Sequence, residues 1–104
     1  MKLLFCLECQ DIVRLSPERR TCRCGRAWGQ YLEDNRTTVQ TRNSLSLAIA
    51  GPDFDRAIKA LIANSQAFSP YLFLRAWFNP TSEEDVRYVE PEGQATKEGE
   101  VKDA

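Results

Sequence analysis

Four cysteines in two close pairs constrain this chain more than any other feature. "FCLECQ" at residues 5–10 holds Cys6 and Cys9, and "TCRCG" at residues 21–25 holds Cys22 and Cys24. The pattern reads C-x-x-C, then twelve residues, then C-x-C-G. A hairpin explains the gap, since roughly six residues out and six back, at about 3.3 Å each, return the chain to its starting level. Both pairs then meet at one end, as a tetrahedral four-thiolate site requires. Zinc favours closed sulfur sites of this kind for structural work. One zinc ion on Cys6, Cys9, Cys22 and Cys24 is the expected cofactor. Its binding can supply about 10–16 kcal/mol of apparent free energy, which in so small a unit is folding energy. A chain of 104 residues buries a limited core, so a staple is expected on size alone.

"CLEC…CRCG" across a short hairpin resembles a zinc ribbon of the broad rubredoxin-like kind, over about residues 3–32. The longer string "CLECQDIVRL…RTCRCGRAWGQYLED" is similar to small uncharacterised bacterial and phage proteins that share a cysteine pair, an acidic residue and valine, then "CG", a glycine and "Y-x-D/E". That likeness implies a fold and a metal and brings no activity with it. One departure stands out: the second pair is C-x-C where the usual knuckle is C-x-x-C, which alters the amide hydrogen bonds available to sulfur.

Iron in a rubredoxin-like electron carrier would use the same four thiolates, and the unusual second pair argues for zinc over iron. A redox role for Cys6 and Cys9 fits poorly, because reactive C-x-x-C pairs sit at helix starts, where the thiolate is stabilised. Structural disulfides belong to oxidising compartments. No apolar run approaches the roughly 18 residues of a membrane span. The apolar stretch before Cys6 is Leu3, Leu4 and Phe5, against the roughly 7–15 residues of a signal peptide. A cytoplasmic protein without membrane association is therefore expected.

Beyond the ribbon, assigned to residues 1–32, a strand–helix–strand extension is expected over 33–80, sharing one compact domain with it. Residues 37–40 suggest a short strand. "SLSLAIA" at 44–50 alternates, with Leu45, Leu47 and Ile49 on the expected core face. Gly51–Pro52 breaks that strand, and Asp53 suits a helix N-cap. Phe54, Ala57, Ile58, Leu61 and Ile62 recur at helical spacing, and Asn64 can end the helix. "YLFLRAWF" at 71–78 is nearly continuously apolar, which predicts a strand buried on both faces. One face is expected against the helix stripe and the other against the ribbon. The fold class is thus α+β: a four-cysteine zinc ribbon packed on a short antiparallel sheet with one helix. Residues 1–80 carry a net charge of +4 and residues 81–104 a net −5. The latter read as an acidic, disordered tail, with Val86, Tyr88 and Val89 able to add a short strand before Pro91.

The chain has no histidine, hence neither the commonest general base nor the usual catalytic zinc ligand. Four cysteines on one ion leave no coordination position open, and the glycines form no phosphate-cradling loop. A non-enzymatic adaptor that binds a macromolecule, a protein before a nucleic acid, is the expectation. Arg14, Arg19, Arg20, Arg23 and Arg26 fall within thirteen residues and form the candidate nucleic-acid edge, since guanidinium forks bind phosphate well. A +4 body is far from the basic footprint of a dedicated nucleic-acid binder. Trp77 is the aromatic of the last strand expected to be exposed, as a candidate partner contact.

Overall fold

The computed structural model describes residues 1–91 as eight strands, one α-helix and a 3-10 turn. The strands are β1 Lys2–Cys6, β2 Ile12–Arg14, β3 Arg20–Thr21, β4 Trp28–Tyr31, β5 Thr38–Thr41, β6 Ser44–Ile49, β7 Ala76–Asn79 and β8 Val86–Val89. The helix α1 spans Gly51–Ala63, and the 3-10 turn spans Pro70–Leu72. Two four-stranded sheets form, in the orders β2-β1-β6-β7 and β3-β4-β5-β8. The class is α+β. The single short antiparallel sheet of the sequence reading becomes two sheets, and the second is mixed, because β8 runs parallel to β5.

The hairpin inferred between the cysteine pairs is replaced by two. β1 pairs with β2, and β3 pairs with β4. Each cysteine pair occupies the turn of its own hairpin, between Phe5↔Ile12 in one and Thr21↔Trp28 in the other. The twelve intervening residues cross from one sheet to the other, so the two turns meet at one end of the sandwich. Tyr31 locks the crossing: its N–H donates to the Ser16 carbonyl at 2.8 Å, and its hydroxyl accepts from the Lys2 N–H at 2.9 Å.

The apolar core between the sheets is small. Leu4, Cys6, Val13, Leu15, Cys22 and Ala27 form it, with Cys9 and Tyr31 packed against them. Away from the cysteines the interior turns polar: Thr38, Gln40, Thr41, Ser44 and Ser46 are all buried. Burying hydroxyls and amides is tolerable only when they are bonded. Gln40 Nε2 donates to Ser44 Oγ at 2.7 Å, Ser44 Oγ to the Thr41 carbonyl at 2.6 Å, and Asn79 Nδ2 to Ser46 Oγ at 3.0 Å, while Gln40 Oε1 is left without a partner.

That polar seam inverts the expected facing of β6. Ser44, Ser46 and Ala48 point into the sandwich, while Leu45, Leu47 and Ile49 are half-buried on the outside. Their neighbours in register make this outer face mostly apolar: Leu3 lies opposite Leu47, Phe5 opposite Leu45 and Ile12, and Leu47 opposite Phe78, with exposed Arg14 opposite Leu3 at its edge.

The helix is also corrected. It begins at Gly51 with Ala50 as N-cap, and Asn64 is its C-cap. Asp53 lies inside the first turn and is one of only two buried helix residues, the other being Ala57. The apolar stripe of Phe54, Ile58, Leu61 and Ile62 is exposed instead of packed on the last strand. That strand is itself shorter than expected. Ser69–Pro70 opens the 3-10 turn, with Ser69 Oγ accepting from the Tyr71 N–H, and only Ala76–Asn79 joins the sheet. A proline-led turn cannot continue a ladder. The expected burial on both faces is absent: Tyr71, Phe73, Trp77 and Phe78 are all exposed.

The acidic stretch does not begin as a tail. Val86–Val89 pairs with Thr38–Thr41, and the Arg42 N–H donates to the Val89 carbonyl. Residues up to Pro91 therefore belong to the described fold, and the rest of the expected tail, 92–104, lies outside the described residues. No helix among the described residues is long and apolar enough to cross a membrane.

Candidate metal centre

Two tight turns bring four sulfurs to one point. In the first, the Cys6 N–H donates to the Asp11 carbonyl and the Gln10 N–H to the Cys6 carbonyl, with Gln10 in the left-handed region at φ 63°. In the second, the Cys22 N–H donates to the Ala27 carbonyl and the Gly25 N–H to the Cys22 carbonyl. Gly25 holds φ 82°, a conformation that costs a side-chain-bearing residue energy and costs glycine none. This positive φ lets the C-x-C pair close in a shorter span than the usual knuckle.

The Sγ atoms of Cys6, Cys9, Cys22 and Cys24 all lie within 4.8 Å of one another. Cys6 and Cys24 are 3.8 Å apart and Cys22 and Cys24 are 3.4 Å apart. Metal–thiolate bonds of about 2.3 Å in a tetrahedron separate the sulfurs by about 3.8 Å. The four sulfurs are close enough to hold one metal ion. All four cysteines are free thiols.

Backbone amides aim at the sulfurs, which stabilises negative charge there. The Glu8 and Cys9 N–H groups donate to Cys6 Sγ at 3.4 and 3.5 Å, and the Ala27 N–H donates to Cys22 Sγ at 3.4 Å. Asp11 and Arg26 supply amides to Cys9 and Cys24. Both pairs thus keep amide donors, and the C-x-C spacing is served by Ala27, five residues beyond its first cysteine.

Without a cation the thiols compete. Burial pushes the Cys6 thiol up. Burial acts the same way on Cys22, but the Ala27 amide and the surrounding thiols overcome it and bring it down to about 6. For Cys24 the Arg26 amide pulls down, yet hydrogen bonding to Cys22 and burial win and push it up to about 12. The Cys9 thiol is lowered as well, while Cys6 and Cys24 resist, so a cation would be what lets all four ionise together.

Three residues outside the cysteine pairs tie the two turns together. Arg26 Nη1 donates to Glu8 Oε1 at 2.9 Å, across the site. Asn43, in the β5–β6 turn, donates to the Arg26 carbonyl at 2.8 Å and to Glu8 Oε2 at 3.3 Å. Asn43 and Arg26 together hold the Glu8 carboxyl below its ordinary range. Asp11 Oδ2 accepts from the Arg23 N–H at 2.8 Å. The sequence reading missed Glu8, Asp11 and Asn43. An acid between or just after paired cysteines was the available signal for the first two, and Asn43 had none.

The arginines divide. Arg26 is engaged at the metal centre, and Arg23 is held through its amide. Arg19 stacks on the Trp28 ring at 3.7 Å, while Arg14 on β2 and Arg20 on β3 are exposed at strands that edge the two sheets. Trp77 is exposed on β7, its Nε1 donating to Asn79 Oδ1 at 3.0 Å, remote in register from the cysteines. Comparison of the chain with family profiles, with curated proteins and with solved structures finds no match to any of them.

Proposed function

We propose that this chain is a zinc-ribbon adaptor: a non-enzymatic scaffold, stapled by one structural zinc ion, that presents an aromatic surface to a protein partner. The observation that carries the reading is the segment between α1 and β7. Phe68 is 87% exposed, Tyr71 60% and Phe73 65%, and Phe68 and Phe73 stack with ring centroids 6.3 Å apart. Aromatic side chains of this kind dominate binding energy at protein interfaces. Zinc is favoured because four thiolates at tetrahedral spacing suit its closed structural sites. Such a site has no open position for water or substrate. Free thiols in a close cluster suit the reducing cytoplasm.

A second reading has its own observation. Arg19 over Trp28, with exposed Arg14 and Arg20, offers cation and ring together, as nucleic-acid binders do. One experiment separates the two: affinity capture from host extract with the wild-type chain and with Phe68→Ser/Phe73→Ser, each with and without nuclease. A protein retained through nuclease treatment and lost with the double variant supports the adaptor. Material lost on nuclease treatment and kept by the double variant moves the function to the arginine edge. Metal analysis of the purified chain gives zinc on this reading, and iron with a red colour would make it an electron carrier.

A further inference from the structure

We propose that the chain forms a two-fold symmetric dimer in which the α1 stripe of each copy lies on the outer face of the β2-β1-β6-β7 sheet of the other. Among the described residues, two of the uncovered apolar surfaces are of complementary kinds. One is the helix stripe, where Phe54 is 37% exposed, Ile58 44%, Leu61 50% and Ile62 79%. The other is the sheet face, where Ile12 and Phe78 are each 54% exposed beside half-buried Phe5, Leu45, Leu47 and Ile49. In a strand–helix–strand unit such as β6-α1-β7, the helix stripe ordinarily covers the sheet. Here the buried side of the helix is Asp53 and Ala57, and the stripe is turned outward.

The base of the helix is fixed in that attitude. Asp53 accepts three hydrogen bonds from Arg75, from N–H at 3.0 Å, Nε at 2.8 Å and Nη2 at 3.2 Å. α1 also follows β6 with only Ala50 between them. The stripe therefore does not turn onto its own sheet while this clamp holds.

The occupant follows from area and charge. With large apolar and aromatic side chains contributing roughly 150–250 Å² each, the exposed fractions of stripe and face together give about 750 Å² per copy. A stable interface takes about 800 Å² per partner. Two-fold symmetry uses both surfaces twice, each helix on the other's sheet, which closes the assembly. The helix charges are answered locally, Lys59 by Asp55 at 3.0 Å and Arg56 by Asp53 at 3.6 Å, so the stripe carries no unmatched charge to select an oppositely charged partner. The dimer stands independently of the adaptor reading, which rests on Phe68, Tyr71 and Phe73 beyond the helix.

The test is the mass of the full chain by sedimentation equilibrium and light scattering, followed by a mixing experiment. The wild-type chain is expected at twice its 11.9 kDa mass. Ile58→Asp/Ile62→Asp removes the helix surface, and Ile12→Lys/Phe78→Lys removes the sheet surface. Each variant alone is expected to dimerise at least about a hundredfold more weakly, since both helix–sheet contacts of its dimer are impaired. Mixed in equal amounts, the two variants restore a dimer, because one contact then sets intact helix on intact sheet and the other sets the aspartates of one copy against the lysines of its partner. Circular dichroism and metal content matching wild type show that each variant is folded, and Ile62→Asp or Phe78→Lys alone replaces any that is not. A monomeric wild-type chain overturns the proposal. So does a wild-type dimer whose two variants stay monomeric when mixed, since that is the behaviour of helix-on-helix or sheet-on-sheet contact.

Discussion

Replacing one thiolate at a time distinguishes a metal centre that is part of the core from one that merely decorates the surface. Cys6 has no exposed surface and packs in the core cluster with Leu4, Val13 and Leu15, whereas Cys24 is exposed. Loss of either sulfur removes one of four ligand bonds, and a quarter of the apparent binding energy is about 3–4 kcal/mol. At Cys24 that is nearly the whole effect, because water can reach the vacated position. At Cys6 the serine hydroxyl is also enclosed among apolar side chains, which adds roughly 1–3 kcal/mol. Cys6→Ser is thus expected to be less stable than Cys24→Ser by about 2 kcal/mol, or roughly 8–16 °C in Tm for a domain of this size. Thermal melts followed by far-ultraviolet circular dichroism, with one equivalent of metal present, measure the difference. Equal melting temperatures for the two variants would refute the placement of Cys6 in the core. Either variant melting with wild type, with metal binding abolished, would refute the premise that the ion supplies folding energy.

Glycines near the site make opposite kinds of demand. A Cβ at Gly29 would meet Leu15 Cδ2 and the Val39 carbonyl oxygen at 3.1 Å and Gln40 Cβ at 3.2 Å, so Gly29→Ala is expected to cost about 1–3 kcal/mol in thermal or urea melts through crowding. Gly25 has open space around it but φ +82°, so Gly25→Ala is expected to cost about 1–2 kcal/mol through conformation alone, and Gly25→Asn to recover part of it. Asparagine performing no better than alanine in metal-dependent melting would count against that account. Hydrogen bonds from Arg75 hold the Asp53 carboxyl below its ordinary range. Their stabilisation is complete above the unfolded value of about 4 and is lost as pH falls through the lower, folded value. The Tm of Asp53→Asn should therefore lie below wild type by a constant margin from pH 8 to about pH 5 and converge on it in stronger acid. A margin that widens on acidification would reverse the assignment.

The N-terminal third was legible because its signals are local. Cysteine spacing, the turn residues between the pairs and a period of two in short runs placed β1, β2, β4 and the four ligands close to where they lie. What spacing could not carry was pairing. Ile12–Arg14 and Arg20–Thr21 look like two arms of one hairpin, and only the neighbouring strands β1 and β4 decide that they belong to different sheets. The inverted facing of β6 has the same origin. Leu45, Leu47 and Ile49 make the apolar face, so burial by hydrophobicity selects them for the core, yet the interior beside β5 is lined by Thr38, Gln40 and Thr41. A strand that must hydrogen-bond into such a seam presents Ser44 and Ser46, as Gln40 Nε2 to Ser44 Oγ requires. In the segment 71–78, an apolar run was read as a strand buried on both faces. Pro70 and the Ser69 cap instead gave it a tight turn, and the side chains that looked like core were left on the surface.

An ion on the four cysteines would account for how few large apolar residues the interior holds. A domain of this size ordinarily devotes its large apolar residues to its own interior, because little else offsets the conformational entropy of folding. This chain commits Leu4, Val13 and Leu15 to the apolar core and sets two of its ligands, Cys6 and Cys22, among them. A bound ion contributing about 10–16 kcal/mol exceeds what a few buried aliphatic side chains, at about 1.5–3 kcal/mol each, can supply. On the proposed metal reading, stability drawn from the ion would release the aromatic and branched residues of α1 and of residues 68–78 from the core for contact surfaces. The same coupling makes those surfaces conditional. Arg26 and Asn43 join the second cysteine turn to Glu8 in the first, and the Leu7 N–H donates to the Asn43 carbonyl, linking the metal site to the turn that starts β6. β6 in turn carries the sheet face and leads into α1. On that reading, loss of an ion would be transmitted along β6 to the apolar surfaces, and contact through them would belong to the metal-loaded chain.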